Sequence, residues 1–337
     1  MVFLPRLRVA RLRSGLLGTG LLGTGLLGAG LLAVSLLKPG GKSKSGIKSA
    51  AKSGGKSAGK SLAKSATVST IVSAAAALLA GSFQSQAMAG EAWPAKVDAV
   101  YAIAFSGFNI GTFTFSSSVH RGVYVLSGDA RVSALLGIVK WQGLTRTAGR
   151  VKGVTPKPAA YTFDYRSGSK GGSIKIGFRS GKVSRVSAFP AMPVAGTVPL
   201  KPYHLNRVLD PLSALMAMAK TKGANPCAHR LRIFDGKQRF DLILSYAGKQ
   251  RIKDRSGTGI GYVCNVRYLP IAGYQPNART KAMAGSSGIR IILRPVPGAR
   301  LLVPHKIIIP TIAGTATLTS KSITVTTAKS EQIALVY

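Results

Sequence analysis

From Val97 onward, apolar and polar residues alternate with a period of two. "VDAVYAIAF" puts Val97, Ala99, Tyr101, Ile103 and Phe105 on one face and Asp98, Val100, Ala102 and Ala104 on the other. "GFNIGTFTF" continues with Phe113 and Phe115 against Thr112 and Thr114, and Ser106-Gly107 between the two runs reads as a hairpin turn. The same alternation recurs in "GVYVLSG", "VKWQGLTRTAGRV", "AAYTFDYRSG", "GSIKIGFRSGKVSRVS", "HRLRIFDGKQRFDLILSY", "GYVCNVRYLP", "LLVPHKIIIPT" and "SITVTT". Asp235-Gly236 and Ser180-Gly181 are read as two further tight turns. Many short strands separated by turn signals specify antiparallel sheet, not alternating βαβ units.

One stretch departs from this pattern. "LDPLSALMAMAK" offers Asp210 as an N-cap and Pro211 at the first helical position, with Leu212, Leu215, Met216 and Ala219 at helical spacing. A single helix of about ten residues is expected, its apolar stripe laid over the open face or mouth of the sheet. The Pro-rich "FPAMPVAGTVPLKPYHLN" before it reads as an extended linker between two runs of strands. The fold class is therefore all-β, a curved antiparallel sheet of half-barrel or spiral β-barrel-like form carrying one short helix. Two sub-sheets hinged at the linker are the alternative. If the sheet curls, Tyr101, Ile103, Phe105, Phe113 and Phe115 are the candidate lining of its concave face.

The region before residue 90 is of another kind. It holds twelve basic residues and no acidic one, and "KSAAKSGGKSAGKSLAKSA" (Lys48–Ala66) repeats lysine every fourth position. Val68–Ala80 is an uncharged apolar core too short to span a bilayer, and Ala87-Met88-Ala89, followed by Gly90, offers the small residues that a signal peptidase reads. Basic block, short apolar core and Ala-x-Ala in that order predict export with cleavage after Ala89. The expected organisation is a basic, low-complexity extension over 1–65, a signal core and cleavage site over 66–89, and a single β-rich periplasmic domain over 90–337. The Leu/Gly repeat from Leu16 to Leu37 is read either as a membrane span or as upstream of the true translation start. The second reading is preferred, because Arg13 before it and Lys38 after it cannot both be cytoplasmic if it crosses once.

The formal charge of +38 points to anionic partners, yet 46% apolar residues exclude a disordered polycation. No aromatic-studded basic motif for specific nucleic-acid reading is present. The two cysteines, Cys227 and Cys264, match no metal or redox spacing and, in an oxidising compartment, are expected to pair. His120, His204, His229 and His305 form no metal-ligand pair, and neither a G-x-S-x-G elbow nor a P-loop occurs. Seven aspartates and two glutamates make a paired-carboxylate site an unpromising reading. No catalytic constellation, cofactor site or metal site is expected.

Several stretches in order, "YAIAFSGFNIGTFTF", "TPKPAAYTF", "RVLDPLSALMAMA", "RIFDGKQRFDL", "CNVRYLPIAGY" and "LLVPHKIIIPTIAGTATL", resemble a bacterial periplasmic family known as domain of unknown function 3108. The resemblance spans about Ala95 to Ser320. It implies one β-sheet domain in the envelope and no established activity. The cysteine pairing also resembles spiral β-sheet envelope-integrity proteins of alphaproteobacteria. "IRIILRP" lacks the tryptophan typical of the family's last strands, so no aromatic lid is expected there. The expectation is a periplasmic, non-enzymatic protein of a Gram-negative bacterium that supports envelope integrity. It would bind a lipid or another apolar or anionic envelope component and touch the membrane only in export or peripherally. The rivals are an envelope hydrolase using His204 or His229, and a nucleic-acid-binding protein using the lysine-rich segment.

Overall fold

The structure, a computed structural model, describes residues 93–337 apart from 135–136, 221–223 and 256. The expected signal segment, with the expected cleavage residues Ala87, Ala89 and Gly90, lies outside the described residues. Two antiparallel meanders make the fold. The first runs through β1 (Lys96–Phe105), β2 (Phe108–His120), β3 (Val123–Ala134), β4 (Val139–Lys152), β5 (Thr155–Ser167), β6 (Lys170–Arg179) and β7 (Lys182–Phe189). The second runs through β8 (Arg230–Phe234), β9 (Arg239–Asp254), β10 (Gly257–Ala272), β11 (Arg290–Val296), β12 (Leu301–Thr311) and β13 (Gly314–Thr326), followed by β14 (Gln332–Val336).

β1 pairs with β13, so both meanders join in one sheet of the order β7-β6-β5-β4-β3-β2-β1-β13-β12-β11-β10-β9-β8. β12 covers one edge of β13 as far as Thr319, and β14 takes over that edge from Ser322 to Thr326. The sheet curves but does not close: β7 and β8 are its outer strands and do not pair. Residues 206–209 lie between them. Arg207 N–H donates to Gly181 O beside β7, while Leu209 N–H donates to Arg232 O and Leu209 O accepts from Phe234 N–H of β8. The linker thereby satisfies backbone groups on both edges that would otherwise stay open to other chains.

The alternation read from the sequence holds. Val97, Ala99, Tyr101 and Ile103 are buried on one face of β1, and a bulge at Ile110 of β2 keeps Phe113 on the core side. Ser106-Gly107 and Ser180-Gly181 both have two consecutive positive φ values (47°, 89° and 51°, 75°), the two-residue hairpin geometry expected. Asp235-Gly236 differs. The β8–β9 loop has four residues, closed by Asp235 Oδ1, which accepts from the N–H groups of Lys237 and Gln238. Gly236 (φ 99°) packs on β6 so closely that a β-carbon would collide with Ile174 Cγ2. The loop is longer because it is shaped to meet the other meander, which local turn chemistry does not reveal.

Among the described residues two α-helices form where one helix was expected: α1 (Pro211–Met218) and α2 (Ala278–Gly285). α2 is short and has no buried residue, and it is capped by Asn277, whose side chain accepts from Thr280 N–H. "ARTKAMAG" has no buried residue to give it a helical stripe, so the pattern was silent there. Cys227 and Cys264 form the expected disulfide (Cα–Cα 5.5 Å), buried among Leu231, Leu244, Val266 and Ile291.

Candidate functional site

α1 starts as the sequence predicts. Asp210 Oδ1 accepts from Ser213 N–H at 3.0 Å, and Pro211 occupies the first helical position. The helix is nevertheless no lid with a wet face. Six of its eight residues, Pro211, Leu212, Ser213, Ala214, Met216 and Met218, are buried, so it plugs the hollow of the sheet from within.

A chain of hydroxyls fixes its N-terminus. Asp210 Oδ2 accepts from Ser213 Oγ (2.5 Å) and Thr147 Oγ1 of β4 (3.1 Å), and Ser213 Oγ lies 2.7 Å from the Tyr124 hydroxyl of β3. Burial raises the Asp210 carboxyl above its ordinary range, and the bonds from Ser213 and Thr147 offset this only in part. Its bonding partners are hydroxyls and a peptide N–H, with no cation among them to offset the burial. At the other end, Ala219 O accepts from Leu302 N–H of β12.

Between α1 and the sheet lies a cavity of about 60 Å³, several times the ~10–15 Å³ that one water requires. Its walls are Pro211, Ala214, Leu215 and Met218 from the helix, Tyr101 and Phe113 from β1 and β2, and Leu231, Ile233, Phe240 and Leu242 from β8 and β9. Ile291, Pro304, Ile307, Ile309 and Leu318 complete them. No charged side chain lines it. The Tyr101 hydroxyl, the wall's single side-chain polar group, donates to Pro304 O at 3.0 Å, and burial pushes its phenol up. Nothing in the wall asks for a hydrogen bond, so the space suits hydrocarbon rather than water.

Of the five predicted lining residues, Tyr101 and Phe113 face this cavity, their rings 6.0 Å apart. Ile103 is buried beside them in the core without lining it, Phe105 packs half-exposed against the cluster around the disulfide, and Phe115 packs against the larger core cluster to which both meanders contribute. The contributions of β8, β9 and β12 were missed. Their alternation was visible, but only the pairing order shows that those strands curl round to meet β1.

The histidines do not converge. His204 Nδ1 accepts from Lys201 N–H at 3.1 Å and its carbonyl accepts from Arg239 Nε. The His229 imidazole has a buried Nε2 without a hydrogen-bond partner, and burial lowers its pKa. Asp210 engages neither ring. His305 Nδ1 lies 2.8 Å from Ser320 Oγ, with its ring against Tyr337, but Ser320 is wholly buried. Burial and Arg294 take His305 down to about 4. Among the described residues no group of three or more His, Cys, Asp or Glu is placed to hold a metal, and no helix is long and apolar enough to cross a membrane.

Residues 100–320 match the family described as "Protein of unknown function (DUF3108)". The chain belongs to this DUF3108 family. A comparison with curated protein sequences gives no match. Among solved structures, the chain is similar to a beta-barrel-like protein of domain of unknown function DUF1849 from Brucella abortus. The two are 10% identical with a TM-score of 0.42, and the similarity covers 69% of this chain and 98% of that one. Within the DUF3108 span fall β2 to β12, most of β1 and β13, both helices and every residue lining the cavity.

Proposed function

We propose that this DUF3108 protein is a periplasmic, non-enzymatic envelope protein that takes the hydrocarbon chain of a lipid-like molecule into the hollow under α1. The observation that carries this reading is the uncharged wall of that cavity, in which the one polar side-chain group is already satisfied. Each methylene moved from water into it contributes about 0.8 kcal/mol. The half-buried Leu215, Ile307 and Leu318 offer a path by which a longer chain leaves toward solvent. The periplasmic location is supported by the signal pattern ending at Ala89 and by the Cys227–Cys264 disulfide.

Native mass spectrometry and displacement of a fluorescent apolar probe by decanoic to octadecanoic acid test the binding. Wild-type protein is expected to retain or take up an acyl chain. Leu215→Trp, which fills the cavity from its half-buried side, is expected to lower affinity at least about tenfold without changing the thermal midpoint. No uptake by wild-type protein, or uptake by Leu215→Trp and by Ile309→Trp equal to that of wild type, would refute the reading. Cell fractionation with intact mass decides the compartment: a chain starting at Gly90 in the periplasmic fraction is expected.

A further inference from the structure

β9 and β10 outrun their neighbours. β9 pairs with β8 only as far as Ile243, and β10 pairs with β11 only over Tyr262–Asn265. From Gln250 to Asp254 and back from Gly257 to Gly261 the two strands pair with each other alone, as a ribbon with Lys249 and Tyr262 at its base. Its two sides differ in kind. One is covered: Ile252 is buried, and Asp254, the ribbon's single carboxylate, forms an ion pair with Arg294. The other is open and carries Lys249 opposite Tyr262, Arg251 opposite Ile260 and Lys253 opposite Thr258. All three cations are exposed and stand opposite uncharged residues.

Between them sit apolar groups that water does not favour. Ile260 is 52% and Tyr246 46% exposed, and Lys249 Nζ lies 5.9 Å from the centre of the Tyr262 ring. Tyrosines and an aliphatic side chain interleaved with Lys and Arg, with no acid on that side, match the chemistry of a lipid headgroup layer. Ammonium and guanidinium groups meet phosphate there while ring and aliphatic carbon enter the acyl boundary. Rows of Lys and Arg also occur on the outer face of β5–β7, at Lys157, Lys175 and Arg185, but there their strand partners are Arg150, Thr162 with Ser187, and Gly177, without an exposed apolar group.

We infer that the β9–β10 ribbon is a peripheral membrane-docking element that recognises the surface of an anionic phospholipid bilayer. This rests on the envelope reading only for the presence of such a membrane, and it concerns a different part of the molecule from the cavity.

Co-sedimentation of the residue 90–337 protein with vesicles of phosphatidylcholine alone, or with 30% phosphatidylglycerol, tests it. Binding only to the anionic vesicles is expected, weakened by added salt. The triple variant Lys249→Gln, Arg251→Gln, Lys253→Gln should lose affinity by about 100-fold. Ile260→Ser alone should lose several-fold. The control triple Lys157→Gln, Lys175→Gln, Arg185→Gln, which removes the same charge elsewhere, should stay within about threefold of wild type. Equal losses in both triples, or binding to duplex DNA as tight as to the vesicles, would show that net charge alone is at work and overturn the proposal. Unaltered uptake of the apolar probe by the ribbon variants keeps this outcome separate from the cavity reading.

Discussion

Asp210 is wholly buried, caps α1 and meets no cation. Replacing it with alanine removes the cap, which costs about 1 kcal/mol. It also deprives the Ser213 and Thr147 hydroxyls of an acceptor, a further 1–3 kcal/mol or so. Thr147 can still donate to Ala160 O at 2.8 Å, which moderates the loss. The expected sum is about 3 kcal/mol, or roughly 6–12 °C in the melting midpoint for a domain of this size. Asn at 210 keeps the acceptor for Ser213 N–H and offers an amide to the Thr147 and Ser213 oxygens, so it should cost under ~1 kcal/mol.

The comparison of wild type with Asp210→Asn also has a sign in pH. Because the folded carboxyl holds its proton more tightly than the unfolded one, ionisation penalises the fold. The penalty begins as pH rises through the ordinary carboxylate value of about 3.9 and levels off above the folded value. Relative to Asp210→Asn, wild type should therefore lose stability from pH 4 upward. Urea melts of the three proteins between pH 4 and pH 8 measure it. An Asp210→Ala midpoint within 2 °C or so of wild type, or a wild-type advantage that grows with pH, would refute the account.

Removing the disulfide by Cys227→Ala with Cys264→Ala releases a loop of sequence separation 37, expected to cost about 4 kcal/mol by chain entropy. Thermal melts of wild type with and without reductant should show the same loss, and a reductant-insensitive midpoint in wild type would count against it. Gly236→Ala should destabilise by more than about 2 kcal/mol, since its φ of 99° and the Ile174 contact both oppose a β-carbon. The same substitution at Gly153, where φ is 59° and nothing lies within reach of a β-carbon, should cost less in parallel melts. For His305, held neutral down to about pH 4 by burial and Arg294, stability should fall as pH drops from about 6.5 to about 4 and then level off. His305→Gln should flatten that limb, and an unchanged acid profile would remove His305 from the explanation.

What the chain determines locally was legible in one dimension. Alternation put Tyr101, Ile103 and Phe113 on the buried side, Ser106-Gly107 and Ser180-Gly181 set two hairpins, and Asp210-Pro211 opened a helix, because each depends on residues within a few positions. The tertiary structure decided the rest. β1 meets β13 across some 220 residues, a pairing that any of the strands could have offered, and only this order curls β8, β9 and β12 around to face Tyr101. α1 carries too little polar surface for a lid, but whether it roofs or plugs the sheet depends on Thr147 and Tyr124 from distant strands. The same holds for the four-residue loop at Gly236 and the one-sided ribbon at Lys249–Lys253. Local pattern fixes which face a side chain takes, whereas what lies opposite that face is settled by contacts far apart in the chain.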